Sequence, residues 1–405
     1  MRATTIGELA AAGYLEFGDG YRTKRAELAD SGYRIIRVAD IADGRVILQG
    51  SDFVGPERTR SIGSKAGQAG DILLTTKGTV GRVAVFHGAM EDVVYSPQLC
   101  YFRVRSNDVL IADYLQYWFQ SEDFVSQASY RKSNTDMADY INLADVRSLK
   151  LMLPSLDNQY RVARVLTALD DKIAANRRLA ETADQLVQNH FRALAAHSGL
   201  DGENEVSYGE IADIGGGGTP KTGIPEYWDG EILWATPTDI TGLDIPAIGS
   251  TSRSITQEGL ANSSAKLYPA GSILMTSRAT IGAFAVAEVP VAVNQGFIVV
   301  NAKDPRDQWW LFHDMRSRVD EFIAQANGAT FLELPRGRFK MLPVHIPSRD
   351  IVDEFSAKAA ELHRLAVSAV RESRTLRLIR DTLLPRLMSG ELRVRDAEKS
   401  LEQVL

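Results

Sequence analysis

The fold is decided by a stretch of sequence that occurs twice: AGDILLTTKGTVGRVAV at residues 69–85 and AGSILMTSRATIGAFAV at residues 270–286. Nine of the seventeen positions are identical without a gap, and most of the remaining differences are conservative. An apolar run that ends in Asp-Ile precedes each copy, at residues 33–41 and 232–240. Because order and spacing are kept, the sequence predicts a tandem duplication of one domain.

Short β-rich runs with turn residues between them surround each copy. In the first copy the predicted strands are residues 34–38, 72–76, 82–86 and 99–104, with counterparts in the second. A glutamine follows each copy in a strand-like stretch, Gln98 and Gln295, and aromatic spacing then predicts short helices at 111–121 and 308–325. Each copy is therefore expected to form a mixed α+β domain of about 150 residues.

A long segment with a helical pattern follows each domain. Apolar residues recur at three- and four-residue spacing from Asp157 to about Ala196 and from Asp350 to Met388. A helix of roughly 40 residues is about 60 Å long and needs a partner. We expect the two helices to pair with each other as an antiparallel coiled coil, because one domain lies between them in sequence. The alternative is two separate surface helices on a globular core.

These patterns predict an α+β fold, in which two tandem mixed α/β domains are separated by two long helices that pair as an antiparallel coiled coil. The expected segments are a first domain at residues 1–155, a central helix at 156–198, a second domain at 199–348, a C-terminal helix at 349–390 and a polar tail at 391–405.

The composition is that of an ordinary soluble protein, with 46 Lys and Arg against 52 Asp and Glu in 405 residues and a formal charge of −6. No apolar run approaches the roughly 20 residues that a membrane span needs, and the N-terminus lacks the apolar core of a secretory signal. Cys100 is the only cysteine, so neither an internal disulfide nor a thiolate metal cluster is expected. We expect a cytoplasmic protein.

Motifs for catalysis or cofactor binding are missing from the sequence. The glycine run at residues 215–218 fails as a phosphate-binding loop, because Pro220 separates the last glycine from Lys221 and no helical pattern follows. No methyl-donor loop, nucleophile elbow or carboxylate cluster is evident, and the six histidines are dispersed. The sequence therefore predicts a binding module without catalytic residues, metal or cofactor. An enzyme with an unrecognised site in the repeats is a second possibility.

Several motifs together carry a family resemblance. They are the two Ala-Gly-x-Ile-Leu-x-Thr blocks, Gly218-Thr-Pro-Lys221 with Tyr227-Trp228, Ser263-Ser-Ala-Lys266, Asn294-Gln-Gly-Phe297, and LIRDTLLPRLMSGEL at residues 378–392. Over nearly its whole length the chain resembles the specificity (S) subunit of a type I restriction-modification system. The resemblance implies two target recognition domains, each reading one part of a split asymmetric DNA site, and helices that dock methyltransferase subunits.

Four residues are candidate base contacts. Lys77 and Arg278 occupy the same repeat position, where a loop should leave a strand, and Lys or Arg side chains recognise guanine in the major groove. Gln98 and Gln295 are candidate adenine contacts. The alternatives are a solvated loop charge for the two cations and a buried, turn-stabilising role for the glutamines.

Three further cations, Arg22, Lys24 and Lys221, lie in Gly- or Thr-containing loops and are expected to hold DNA phosphates. The first copy has Tyr21-Arg-Thr-Lys24 and Ser96-Pro-Gln98 where the second has its Gly-Thr-Pro-Lys and Asn-Gln-Gly motifs, which suits a domain that reads a different sequence. Trp228 can contact DNA or fill the core, and its size favours the core.

The acidic total charge has a consequence for partners. Affinity for DNA comes largely from counterion release, so a chain of charge −6 should bind double-stranded DNA poorly alone. We expect methyltransferase (M) subunits and, where the system cuts DNA, a restriction/translocase (R) subunit. The candidate docking residues are arginines on the outward helix faces: Arg161, Arg164, Arg177, Arg178, Arg371, Arg374, Arg377 and Arg380. The alternative function is a protein-binding coiled-coil scaffold that does not read DNA.

Overall fold

The computed structural model describes residues 2–42, 44–48, 50–88, 92–131, 140–198, 205–328 and 332–402. The chain divides into two compact units, residues 1–171 with 376–405 and residues 172–375. The boundaries cut both long helices, so each unit holds part of each. In the described part of the chain, no helix is both long enough and apolar enough to cross a membrane.

The first unit contains the first repeat. Its strands are β1 (Arg2–Thr5), β2 (Leu15–Asp19), β3 (Leu28–Ala29), β4 (Tyr33–Ile36), β5 (Ile41–Ala42), β6 (Gly44–Val46), β7 (Phe53–Val54), β8 (Asp71–Thr75), β9 (Val83–Phe86), β10 (Val93–Tyr95), β11 (Leu99–Val104) and β12 (Lys150–Leu153). Its helices are α1 (Ile6–Ala11), α2 (Thr59–Ile62), α3 (Ala112–Trp118), α4 (Glu122–Arg131), α5 (Leu143–Arg147) and the start of α6 (Leu156–Ser198).

The sequence 69–85 forms the centre of the larger sheet in this unit. Strands β8 and β9 pair antiparallel within the order β2-β11-β8-β9-β6-β5, with Leu73 opposite Ala84 and both fully buried. A second sheet has the order β10-β4-β7-β3, and β1 pairs with β12. The short apolar runs therefore build two sheets, as their alternation with turn residues predicts.

The second unit contains the second repeat. Its strands are β13 (Glu205–Ser207), β14 (Ala212–Gly215), β15 (Trp228–Ala235), β16 (Ala247–Ile248), β17 (Arg253–Ile255), β18 (Leu267–Tyr268), β19 (Ile273–Thr276), β20 (Phe284–Ala287), β21 (Val291–Val293), β22 (Phe297–Ala302) and β23 (Pro343–His345). Its helices are α7 (Tyr208–Ile211), α8 (Pro237–Thr241), α9 (Gln257–Ala261), α10 (Gln308–Ser317), α11 (Val319–Ala324), α12 (Arg336–Lys340) and the start of α13 (Arg349–Ser389).

The sheets of the second unit repeat the central strand order of those in the first and differ from them in their edge strands. One has the order β14-β22-β19-β20-β16 and the other β17-β15-β21-β18, while β13 pairs with β23 as β1 pairs with β12. The predicted duplication is confirmed at the level of strand pairing. The shared threonine makes the same bond in both copies, since Thr75 Oγ1 accepts from Arg82 N and Thr276 Oγ1 accepts from Ala283 N, both at 2.9 Å.

The shared glycines have a conformational reason. Gly81 and Gly282 have φ angles of 100° and 86°, in the left-handed region that disfavours other residues. In both turns the glycine N–H donates to the carbonyl at the end of the preceding strand, Thr75 O or Thr276 O, at 3.0 Å. The turn that carries the candidate base contact is therefore the same in the two repeats.

The two long helices pair antiparallel. In the second unit Ala180 and Ala183 of α6 pack with Ala366 and Ala369 of α13. Further along α6, the contacts move back along α13: Val187 and Phe191 pack with Val352, Phe355 and Ala359. In the first unit Arg380 Nη1 donates to Asp170 Oδ1 at 2.7 Å. The predicted helix pair is confirmed, and two separate surface helices are excluded.

Two details differ from the predicted elements. The region 308–325 forms two helices, α10 and α11, that separate at Arg318, whose backbone leaves the helical conformation. The region 391–405, predicted as a polar tail, contains α14 (Val394–Glu402). Ala397 of α14 is buried, and Glu398 accepts from Arg164 Nη2 at 2.8 Å.

Candidate nucleic-acid interface

In the first unit, three loops meet at one edge of the sheets. They are residues 20–24 after β2, residues 77–79 after β8 and the turn at residues 96–98 between β10 and β11. Tyr21 N donates to Tyr95 O at 2.7 Å, and Thr76 N donates to Gln98 O at 2.8 Å. These backbone bonds join segments that are far apart in sequence into what we call the first loop surface.

The first loop surface carries all four of the residues predicted in this domain. Arg22, Lys24, Lys77 and Gln98 are exposed on it. Lys24 and Gln98 line one cavity of about 290 Å³, together with Arg25, Arg37 and Thr23. The cavity thus combines three cations with one amide, a lining suited to an anion.

Glu27 fixes the loop that carries Lys24. Its carboxylate accepts from Lys24 N at 2.9 Å and from the Tyr21 hydroxyl at 3.3 Å. The bond from the Lys24 backbone, followed by the bond from Tyr21, holds the pKa of Glu27 below its ordinary value in spite of burial. The carboxylate is therefore charged at neutral pH and holds this turn.

In the second unit, the equivalent three loops meet in the same way. They are residues 217–221, 278–280 and 294–296, which we call the second loop surface. Gly218 N donates to Val293 O at 3.1 Å, and Ser277 N donates to Gly296 O at 2.8 Å. The Thr219 hydroxyl donates to Gln295 Oε1 at 2.7 Å, so two of the loops are also joined by side chains. Lys221, Arg278 and Gln295, predicted from the sequence, are exposed here.

The two paired cations have different partners. Arg278 Nη2 lies 2.8 Å from Glu333 Oε1, and each side chain is 44% exposed. Lys77 Nζ instead lies 5.0 Å from the centre of the Tyr140 ring. Tyr140 and Glu333 occupy corresponding places, because each forms an isolated antiparallel bridge with its cation. Neither partner was identified from the sequence, because both lie more than 50 residues downstream of the cation they contact.

The two glutamines are one position apart in the aligned turns. Leu99 pairs with Thr75 and Phe297 pairs with Thr276, so the residue before each strand is Gln98 in one domain and Gly296 in the other. Both glutamine side chains are exposed, so the alternative of a buried glutamine is wrong for both. The Ser96 hydroxyl lies 3.4 Å from Gln98 Oε1.

Two tryptophans support the second loop surface. Trp234 Nε1 donates to Gly218 O at 3.0 Å and Trp228 Nε1 donates to Lys221 O at 3.3 Å. Both indoles are buried, which confirms the core position expected for Trp228. Arg253 lies on Trp228, with its guanidinium carbon 3.5 Å from the ring centre. The sequence reasoning missed Arg253, whose one available signal was its position at the start of a strand.

The groups that the loop surfaces expose can be compared with the titratable groups elsewhere in the chain. No cluster of three or more His, Cys, Asp or Glu suited to a metal occurs in the described ranges. Cys100 is buried, and burial raises the pKa of its thiol far above the ordinary value. His313 and His363 are also largely buried, and burial lowers the pKa of both. The predicted residues on the two surfaces are cations and amides, which suit phosphates and base edges, and Glu333 adds one exposed carboxylate beside Arg278.

Comparison with known proteins agrees with this geometry. Residues 5–184 and 201–358 match the type I restriction modification DNA specificity domain. The MjaIX specificity subunit of Methanocaldococcus jannaschii is 36% identical over 141 residues, which are 34% of this chain and 33% of that protein. The HindI specificity subunit of Haemophilus influenzae is 22% identical over 81% of this chain and 88% of its own length.

A solved structure has the same fold. The type I restriction-modification S subunit from M. genitalium aligns with a TM-score of 0.58 at 15% identity, covering 95% of both chains. The two family matches cover most of the chain and fall one on each repeat, with the two loop surfaces inside them. This chain therefore belongs to the family of type I restriction-modification specificity subunits, with one DNA specificity domain in each repeat.

Proposed function

We propose that this chain is the DNA sequence-recognition subunit of a type I restriction-modification complex and reads a split asymmetric site with its two domains. The observation that carries the proposal is the duplicated loop surface, which has one framework in both units but different polar residues. One framework with different side chains is what two unlike half-sites require. Each surface offers cations for phosphates and guanine, and an amide for adenine.

The residues have distinct roles in this proposal. Lys77 and Arg278 contact guanine edges, and Gln98 and Gln295 contact adenine edges. Arg22, Lys24 and Lys221 hold phosphates, which positions each domain without selecting a sequence. Lys77 and Arg278 are the strongest base candidates, because each leaves its strand through the same glycine-dependent turn and is exposed at the loop surface.

The chain acts in the cytoplasm as a non-catalytic member of an assembly, with M subunits and, in a system that cuts DNA, an R subunit. Several of the eight predicted docking arginines have carboxylate partners within this chain, including Arg164, Arg371 and Arg380. Arg178 and Arg374 are exposed, and among the described residues no carboxylate lies within ion-pair distance of either. These two are the arginines most available to a partner subunit.

Alanine substitution of the two base candidates tests the reading role. The chain is co-expressed with the M subunits of its system, and methylation is mapped over a library of DNA sites. Lys77→Ala should relax one position in one half-site and Arg278→Ala one position in the other, because each loses a base contact of about 1 to 3 kcal/mol. The chain without M subunits should methylate nothing.

Matched controls remove one exposed cation from the far end of the same sheets. Arg105 follows the end of β11 that is distant from Gln98, and Arg306 follows the corresponding end of β22. Arg105→Ala and Arg306→Ala should keep the site preference. If both Lys77→Ala and Arg278→Ala keep the wild-type sequence preference in methylation, these loops do not read the DNA bases. A wild-type assembly that protects no sequence would favour the scaffold function.

Charge reversal on the helices tests docking. Arg178→Glu together with Arg374→Glu should reduce co-purification of M subunits at least severalfold, because exposed charges steer and register a protein interface. Arg393→Glu, at an exposed position of the first unit, is the control. Undiminished co-purification at physiological salt would exclude this part of the helices as the docking site.

A further inference from the structure

Arg253 is an exposed cation at the edge of the second domain. Its guanidinium carbon lies 3.5 Å from the centre of the Trp228 ring and 5.8 Å from that of Trp234. The two indoles stand nearly perpendicular, at 85°. Arg253 is exposed, and within the described ranges no carboxylate lies at ion-pair distance from it. The stacking holds its plane while its charge stays available to solvent.

Trp228 joins Arg253 to a residue already assigned to DNA. The face of its indole supports Arg253, and its Nε1 donates to the carbonyl of Lys221. One buried ring therefore sets the positions of two exposed cations that are 32 positions apart in sequence. Gly218, in the same loop, is held by Trp234, so the loop is fixed at both ends.

The sheet topology places Arg253 at the edge that carries the second loop surface. Strands β15 and β21 are parallel, so their C-terminal ends lie at one edge, and the turn with Gln295 follows β21. Strand β17 is antiparallel to β15 and begins with Arg253 at that same edge. Two strand spacings separate β17 from β21, or about 10 Å, which is roughly three base pairs of duplex.

We propose that Arg253 and Lys221 form a two-cation clamp on a DNA backbone phosphate at the flank of the second half-site. The inference rests on the proposed function and extends it to a residue outside the predicted set. A phosphate is favoured over a base because the clamp lies to one side of Gln295, and because Trp228 contacts both residues while the described residues place no carboxylate at ion-pair distance from either. A base edge would be matched by one guanidinium fork.

The first domain has a different residue at the position of Arg253. In the first domain Val93 pairs with Arg34, and in the second Val291 pairs with Leu233. The next residue along each strand, Ile35 or Trp234, therefore occupies the same position. Ile35 N donates to Asp52 O, which makes Asp52 the counterpart of Arg253. The Asp52 carboxylate lies 2.5 Å from Arg37. An anion thus stands in the first domain where the second has the clamp cation.

Binding measurements with the assembled complex test the clamp. Dissociation constants are measured for the wild type, Arg253→Ala, Arg253→Lys and Lys221→Ala, on the cognate duplex and on duplexes with one base pair of the second half-site changed. Arg253→Ala should weaken binding to all these duplexes by one common factor of roughly 5 to 20 and lower the salt slope by about one. Arg253→Lys should keep part of the affinity, because a phosphate accepts a point charge. The control, Arg306→Ala, should bind as the wild type does.

The double variant shows whether the two cations act together. If they share one phosphate, Arg253→Ala with Lys221→Ala should lose less affinity than the product of the two single losses. A loss in the double variant equal to the product of the two single losses would overturn the clamp. Unchanged DNA binding by Arg253→Ala would overturn it as well. Altered base preference in Arg253→Ala would overturn the phosphate assignment. If the wild-type complex selects no sequence, the proposed function fails and this inference fails with it. If the wild-type complex is selective but the Arg253 variants bind DNA as tightly as it does, this inference fails and the proposed function stands.

Discussion

A buried ion pair in the first domain corresponds to a neutral hydrogen-bonded pair in the second. Replacing the ion pair by the neutral residues measures how much each arrangement contributes to the stability of the domain. Arg103 donates to Asp71 through Nε at 2.6 Å and Nη2 at 2.7 Å, and the side chains are 6% and 0% exposed. At the same positions the second domain has Ser272 and Asn301, which bond at 2.8 Å. The strand registers make the two pairs equivalent.

The structure sets the size of the effect. Asp71 also accepts from the Tyr95 hydroxyl and from Gln68 N, both at 2.8 Å. Burial and the neighbouring Asp71 charge raise the pKa of Tyr95 far above its ordinary value, so its hydroxyl stays a donor. Asp71→Ser alone leaves the Arg103 guanidinium buried without its main partner, which should cost about 3 to 5 kcal/mol. Asp71→Ser with Arg103→Asn should cost only about 1 to 3 kcal/mol, because Tyr95 loses its acceptor and the Ser64 and Ala66 carbonyls lose the Arg103 donor.

Hydrogen exchange of the peptides that cover β8 and β11 gives the local opening free energy without assuming that the two units unfold together. The four members of the cycle are the wild type, Asp71→Ser, Arg103→Asn and the double variant. Peptides covering β19 and β22, in the second unit, serve as the internal reference. The reasoning is refuted if Asp71→Ser costs less than about 1 kcal/mol, or if the double variant costs as much as the two single changes added.

Two further predictions concern the second unit. Glu333→Gln should raise affinity for non-cognate DNA severalfold and lower the ratio of cognate to non-cognate binding, because Arg278 loses its anionic partner; an unchanged ratio in a binding titration would contradict this. Burial lowers the pKa of His363 to about 4 from 6.5, so the unfolded chain binds a proton first as the pH falls. The contribution of His363 to stability is complete above about pH 6.5 and is lost progressively as the pH falls from there through 4. At pH 5 the loss amounts to about 1 to 2 kcal/mol. His363→Asn should reduce the loss of stability between pH 7 and pH 5 in thermal unfolding, and an identical pH profile would show that His363 is not responsible.

The sequence predicts well the features that depend on residues close together in the chain. The β8–β9 hairpin and its counterpart follow from the repeated motif, because strand, turn glycine and strand lie within seventeen positions. The long helices follow from three- and four-residue spacing, and Ala183 and Phe191 lie on the predicted seam. Lys77 and Arg278 could be located because they follow a strand that the motif defines.

Contacts across the sheets could not be predicted, because they join residues that are distant in sequence and depend on how the strands pair. Arg253 and Trp228 meet through the register of β15 and β17, and a bulge shifts that register between Trp228 and Ile232. Glu333 reaches Arg278 through a single isolated bridge. The break between α10 and α11 at Arg318 was missed because the apolar pattern continues through it, while the Arg318 side chain pairs with Asp314 and Glu321.

The division of the chain into units has a consequence for its gene. The second unit is one uninterrupted segment, residues 172–375, and it includes its own parts of α6 and α13. The alanine contacts between these helices, at Ala180, Ala183, Ala366 and Ala369, therefore lie inside that segment. A recombination event with crossovers at these two codon boundaries would transfer one whole DNA specificity domain together with the part of the helix pair that lies in the same unit. If each domain reads its own half-site, as we propose, exchange of this one segment would change one half-site and leave the other half-site as it was.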